Sequence, residues 1–119
     1  MDLAALRTDY ALRRLDETDV DADPFKQFHA WMRESIEAQV PEPTAMTLAT
    51  VDASGRPSAR IMLLKGLDER GFVFFTNYGS RKAGDLEANP RASLCGFWFW
   101  LGQQVRIEGR VTRVPAEAS

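Results

Sequence analysis

The sequence has one cysteine, one histidine and no apolar run near the roughly 20 residues that span a bilayer. A lone Cys95 excludes an internal disulfide framework and fits a reducing cytoplasm. Its setting, Ser93-Leu94-Cys95-Gly96-Phe97, reads as strand interior, so the thiol is expected to be buried and inert. His29 would have to serve any Ser-His-Asp triad or His-based metal site. It falls on an amphipathic helix, far along the chain from Cys95, and reads as a surface residue. A Gly-rich dinucleotide fingerprint and a Walker loop are both missing. The opening Met1-Asp2-Leu3 carries neither a basic n-region nor an apolar h-region, so no secretory signal and no membrane partner is expected. A net charge of -2 argues against general nucleic-acid binding, which relies on many phosphate contacts. The paired acids Asp68-Glu69 sit in a turn, where carboxylates serve the backbone. No side chain is therefore assigned as catalytic and none as a metal ligand; an enzyme of this composition would borrow its chemistry from a cofactor.

What is present is unevenly placed. Residues 1–42 hold ten acids and five bases, whereas residues 43–119 hold seven acids and ten bases. The cationic excess lies in the part that patterns as folded, which suits a small anionic ligand. Residues 1–23 read as a polar, acidic arm with a short helical candidate from Leu3 to Leu15. Asp23-Pro24 opens a helix with Phe25, Phe28, Met32 and Ile36 as its apolar stripe, and Pro41 and Pro43 bound it. Beyond Pro43 the period becomes strand-like. Strands are expected at Ala45 to Val51, Pro57 to Lys65, Phe72 to Thr76, Arg91 to Trp98 and Gln103 to Val114, with a short helix from Arg81 to Ala88. The pattern predicts a mainly β fold, an antiparallel barrel or sandwich with flanking helices.

Three stretches could hold a ligand. Ser80 caps a helix whose first residues are Arg81 and Lys82, so free backbone N–H groups, the positive dipole end and two cations face one place. Cations in a first turn oppose the helix dipole, and a bound phosphate would offset that conflict; a solvated basic turn is the plain alternative. In Arg60-Ile61-Met62-Leu63-Leu64-Lys65 the two cations have opposite parity along a strand. They serve one ligand only if the strand twists, bulges or ends there. The apolar residues between them are expected in the core, with backbone groups able to bond a flat ring if the strand is an edge. Phe97-Trp98-Phe99-Trp100 could flank a flat ring or form a dimer seam; the inward pair reads at least as well as core, and the outward pair favours a partner surface.

These stretches, with Phe74-Phe75-Thr76-Asn77-Tyr78-Gly79 and Asn89-Pro90-Arg91-Ala92-Ser93-Leu94, resemble the pyridoxamine 5'-phosphate oxidases from about Leu6 to Val114. The resemblance implies an FMN-binding split β-barrel, antiparallel and Greek-key-like, occupying residues 24–119 behind the 1–23 arm. It implies a homodimer with FMN at the interface. It also implies oxidation of pyridoxamine or pyridoxine 5'-phosphate to pyridoxal 5'-phosphate, with O2 as acceptor and H2O2 as product. By position, Arg60, Ile61, Met62, Leu63, Leu64 and Lys65 would line FMN, with Arg60 toward its phosphate. Phe75 and Thr76 would flank the flavin, Ser80, Arg81 and Lys82 would hold the phosphate, and Gln104 would contact the ring. Lys65, Arg7 and Tyr10 would approach the substrate. Members of the family continue beyond the position of Val114, into a segment carrying further substrate and flavin contacts. Either this chain is part of a longer one, or it is a reduced relative that binds FMN or pyridoxal phosphate without oxidising. A flavin reductase or another split-barrel oxidoreductase shares the fold but accounts less well for the Arg-Lys element.

Overall fold

A computed structural model describes residues 1–6, 20–68, 71–75, 80–98 and 101–112. They divide between two compact units, Met1–Pro43 with Phe97–Gln103, and Thr44–Gly96 with Gln104–Ser119. Among the described residues no helix is long and apolar enough to cross a membrane.

The first unit is built around α1, Pro24–Glu37. Asp23 caps it, its carboxylate accepting from Phe25 N at 2.9 Å, with Pro24 pre-set in the first turn. The helix stops before the prolines. Gln39 takes a left-handed φ of 56°, so that Gln39 N donates to Ile36 O and Val40 N to Ser35 O, both at 3.0 Å. This is a Schellman closure made without glycine. The apolar stripe is rotated from its expected position. Phe28 and Ser35 are buried, whereas Phe25 and Ile36 stay 50% and 56% exposed. At 3.6 residues per turn those two lie roughly 60–80° round from Phe28, on the flank of the buried face. Phe28 meets the Trp98 ring at a centroid distance of 5.8 Å, and the Trp98 indole N–H donates to Pro43 O at 2.9 Å. Gln103 Nε2 donates to Glu34 Oε2 at 3.1 Å.

The strands are β1 (Ala45–Val51), β2 (Pro57–Asp68), β3 (Gly71–Phe74), β4 (Arg91–Trp98) and β5 (Gln103–Arg110), in sheet order β3-β2-β1-β4-β5. The β1–β2 hairpin turns on Asp52. Its Oδ1 accepts from Ser54 N, Ser54 Oγ and Arg56 N at 2.7–2.9 Å, and Gly55 supplies the φ of 90° that the turn needs. The Ser54 hydroxyl, then the Arg56 amide, hold the Asp52 carboxyl below its ordinary range.

One face of β1 is packed. Met46, Leu48 and Thr50 are buried and the alternate residues are not, and Leu64 of β2 and Leu94 of β4 are buried with them. Gly96 stands where a Cβ would come within 3.0 Å of Met46 Cε. Helix α2, Arg81–Ala88, packs on β1 with Ala83 and Asp85 buried.

Strand β2 runs to Asp68 rather than ending at Lys65, and β3 ends at Phe74; Thr76 lies outside the described residues. Strand β5 ends at Arg110, short of Val114. Two side-chain expectations are corrected. Cys95 is half-buried, because the buried residues of β4 are Leu94, Gly96 and Trp98 and their neighbours point the other way. Ile61 and Leu63 are 65% and 41% exposed rather than core, because β2 alternates and its inward set is the even-numbered one.

Candidate functional site

The strand from Arg60 to Lys65 is the first wall. Pairing with β1 covers Pro57–Leu63, whereas pairing with β3 begins only at Leu64. Thr44 O accepts from Leu64 N, and Arg56 O from Asp52 N. Both bonds fall on even-numbered pairs of the hairpin register, so the odd-numbered residues of β2 turn their N–H and C=O groups away from β1. Ala59, Ile61 and Leu63 therefore present backbone donors and acceptors along an edge that no described strand covers. The exposed side chains of Ile61 and Leu63, with Phe75 at 59% exposure just after β3, add apolar surface in the same unit. Met62 is half-buried and Leu64 is buried.

The parity conflict between Arg60 and Lys65 meets a β-bulge. Leu64 opposes Phe74 and Gly66 opposes Val73, so Lys65 is the extra residue. Arg60 lies on the inward face and Lys65 is exposed at the bulge, where the alternation is interrupted. The two differ in exposure, Arg60 being half-buried and Lys65 exposed.

Helix α2 is the second wall. Ser80 Oγ accepts from Ala83 N at 3.4 Å and Ser80 O from Gly84 N at 3.2 Å. Among the described residues the N–H groups of Arg81 and Lys82 meet no acceptor, as expected of a helix entrance. Arg81 is exposed and Lys82 half-buried.

Arg60 joins the walls. Its guanidinium NH1 donates to Thr50 Oγ1 at 2.8 Å and to Leu48 O at 3.2 Å, while NH2 lies 3.8 Å from Asp85 Oδ2. The Thr50 hydroxyl donates to the same Asp85 oxygen at 3.0 Å. Asp85 follows Arg81 by four residues, about 6 Å of helical rise, so Arg60 is tied to the helix that carries the other two cations. Ser58, opposite Thr50 in the register, has a buried hydroxyl with no partner among the described residues. Gln104 is exposed on β5, and the buried glutamine is its neighbour Gln103. Arg7, Tyr10 and Thr76 lie outside the described residues.

Sequence reasoning missed Asp85 and Thr50. The available signal was Thr50's parity with Met46 and Leu48, which put a polar side chain on the packed face of β1. Chemically the set is donor-rich: two open helix N–H groups, three cations and an open strand edge. It matches an acceptor-rich, doubly anionic phosphate joined to a flat heteroaromatic ring. The residues present thus fit FMN.

The model of the pyridoxamine 5'-phosphate oxidase family matches residues 32–119. A pyridoxine/pyridoxamine 5'-phosphate oxidase of Paraburkholderia xenovorans is 60% identical over 117 residues, covering 98% of this chain and 55% of that protein. The chain thus spans about half the length of the curated relatives it matches. Among solved structures, PhzG of Burkholderia lata in complex with tetrahydrophenazine-1-carboxylic acid superposes with a TM-score of 0.81 at 31% identity, over 88% of this chain and 53% of PhzG. An FMN-binding protein of Nostoc punctiforme related to pyridoxamine 5'-phosphate oxidase gives 0.64 at 26% identity, over 76% of this chain and 47% of that one. With an antiparallel five-stranded sheet of the split-barrel kind, a family match across most of its length and relatives this close, the chain belongs to the pyridoxamine 5'-phosphate oxidase family.

Proposed function

We propose that this chain binds FMN and forms the flavin-phosphate half of an oxidase acting on pyridoxamine or pyridoxine 5'-phosphate. The observation that carries the reading is the tie from Arg60 through Asp85 to the helix headed by Arg81 and Lys82. Arg60, Arg81, Lys82 and the open N–H groups of α2 neutralise and orient the phosphate. The edge groups of Ile61 and Leu63 bond the polar rim of the ring, and Met62 and Leu64 hold that strand to the core. Phe75 and Thr76 flank the ring, and Gln104 contacts it. Lys65, at the bulge, reaches toward the substrate, as do Arg7 and Tyr10 of the 1–23 arm. Bound flavin supplies a two-electron acceptor for oxidation at the substrate C4' position. With O2 as final oxidant, the amine substrate and one water give the aldehyde, ammonia and H2O2. Positioning of two rings and neutralisation of two phosphates are the protein's contribution. The working form is a cytoplasmic homodimer with FMN at the interface.

A second reading, an FMN- or pyridoxal phosphate-binding module without turnover, is favoured by the likeness to the Nostoc punctiforme FMN-binding protein. The test begins with an absorbance spectrum of the purified protein and titrations with FMN and riboflavin, followed by peroxide release with pyridoxamine 5'-phosphate. A flavin spectrum, FMN preferred over riboflavin and peroxide formed support the oxidase. Bound FMN without peroxide supports the module, and no preference for FMN over riboflavin overturns the oxidase and the FMN-binding form of the module.

A further inference from the structure

We infer that Asp85 and Thr50 are positioning residues that hold the Arg60 guanidinium in the orientation that grips a phosphate. The inference rests on the reading that Arg60 takes the FMN phosphate. An arginine has five N–H donors in a planar fork. The two on NH1 are taken by Leu48 O and Thr50 Oγ1, and Asp85 stands beside NH2. Among the described residues Nε–H and the remaining NH2 hydrogen are left, and together they form an edge suited to two oxygens of one phosphate.

The tether is internal, not a loose surface pair. The Asp85 side chain is 7% exposed and Thr50 is 1% exposed, and the Thr50 hydroxyl bridges them by accepting from Arg60 and donating to Asp85. An untethered arginine would sample many rotamers and lose that freedom on binding; here it is already lost. Because Asp85 belongs to α2, the same carboxylate fixes Arg60 relative to Arg81 and Lys82, so the phosphate meets the three cations in one register.

The sign of the effect separates positioning from simple charge. Asp85 is an anion beside an anion's site, so on Coulomb's law alone its neutralisation would tighten FMN. Positioning requires the opposite. The test titrates FMN and riboflavin into the full 119-residue chain by flavin fluorescence. Asp85→Asn, which keeps an acceptor for the Thr50 hydroxyl, should raise the FMN Kd about five- to tenfold while riboflavin stays within about twofold. Thr50→Val should do the same, and Thr50→Ser should recover the parent ratio. Arg60→Ala should raise the FMN Kd by about tenfold or more, and Asp85→Asn should add nothing in that background. Unchanged or tighter FMN in Asp85→Asn, with the Arg60→Ala loss intact, overturns the positioning role and leaves the phosphate reading standing. Unchanged FMN in Arg60→Ala overturns the phosphate reading, and the positioning role with it. Should Asp85→Asn fail to fold, seen as loss of riboflavin binding, the Thr50→Val and Thr50→Ser pair decides.

Discussion

Replacing Arg81 and Lys82 together by alanine should move two measurable quantities in opposite directions. Each cation stands in the first turn of α2, where the helix dipole is positive and neither side chain helps the helix. Relieving that conflict should stabilise the ligand-free protein by about 0.3–1 kcal/mol in all, discounted because Arg81 is exposed. In the FMN complex the sign reverses. A charge-assisted bond to phosphate is worth about 1.5–3 kcal/mol, with the exposed Arg81 near or below the low end and the half-buried Lys82 inside the range. A combined loss of about 3 kcal/mol corresponds to about a hundredfold rise in FMN Kd. Riboflavin, which has no phosphate, should change by less than about threefold. The assay pairs flavin titration at two salt concentrations with urea unfolding of the ligand-free protein. Added salt should weaken FMN in the parent and much less in the double variant. Equal losses for FMN and riboflavin, or a less stable ligand-free variant, would refute the idea that these cations sit where they do for an anion's sake.

Three further outcomes follow from local geometry. Gln39→Gly should stabilise the protein by about 0.5–1 kcal/mol in urea unfolding, since the left-handed φ of 56° at the end of α1 strains a side-chain-bearing residue. Trp98→Phe should cost about 2–4 kcal/mol, because it strips Pro43 O of its donor and leaves a gap beside Phe28; circular dichroism in urea at an unchanged m-value measures it. The depressed Asp52 pKa favours the folded state at pH values above the ordinary carboxylate pKa, and that stabilisation fades as pH falls through the folded-state pKa. Asp52→Asn should flatten this part of the acid-stability profile, and an unchanged profile would contradict the assigned hydrogen bonds.

The parts of the fold that were legible in sequence are those with punctuation at both ends. Strand β1, helix α2 and strand β4 fall where the sequence predicts them, because Pro43, Asp52, Ser80 and Asn89-Pro90 each impose a backbone geometry that a neighbouring strand or helix cannot continue. Boundaries without punctuation drifted. Strand β2 passes Lys65 because nothing there forbids extension, and β5 ends at Arg110 although its alternation continues beyond. Four apolar residues mark the α1 stripe in the sequence, whereas the buried face is centred on Phe28 and Ser35, and a serine carries no hydropathy signal.

The candidate site shows where pattern reading stops. A continuous apolar run such as Ile61 to Leu64 has no period, so sequence does not say which members face inward. That choice is made by the partner: Met46 and Leu48 of β1 pair with Met62 and Arg60, and their burial draws the even residues in and leaves Ile61 and Leu63 outside. The same pairing carries Arg60 onto the packed face, where a bare guanidinium would be costly. Leu48 O, Thr50 and Asp85 offset that cost, and Asp85 is available only because α2 lies across β1. One strand register thus settles two matters at once: which apolar side chains stay exposed, and which acid stands behind the arginine. The Arg-Lys helix entrance was readable because it is local; the acid behind Arg60, 25 residues further along the chain, was not, because its meaning depends on a tertiary contact.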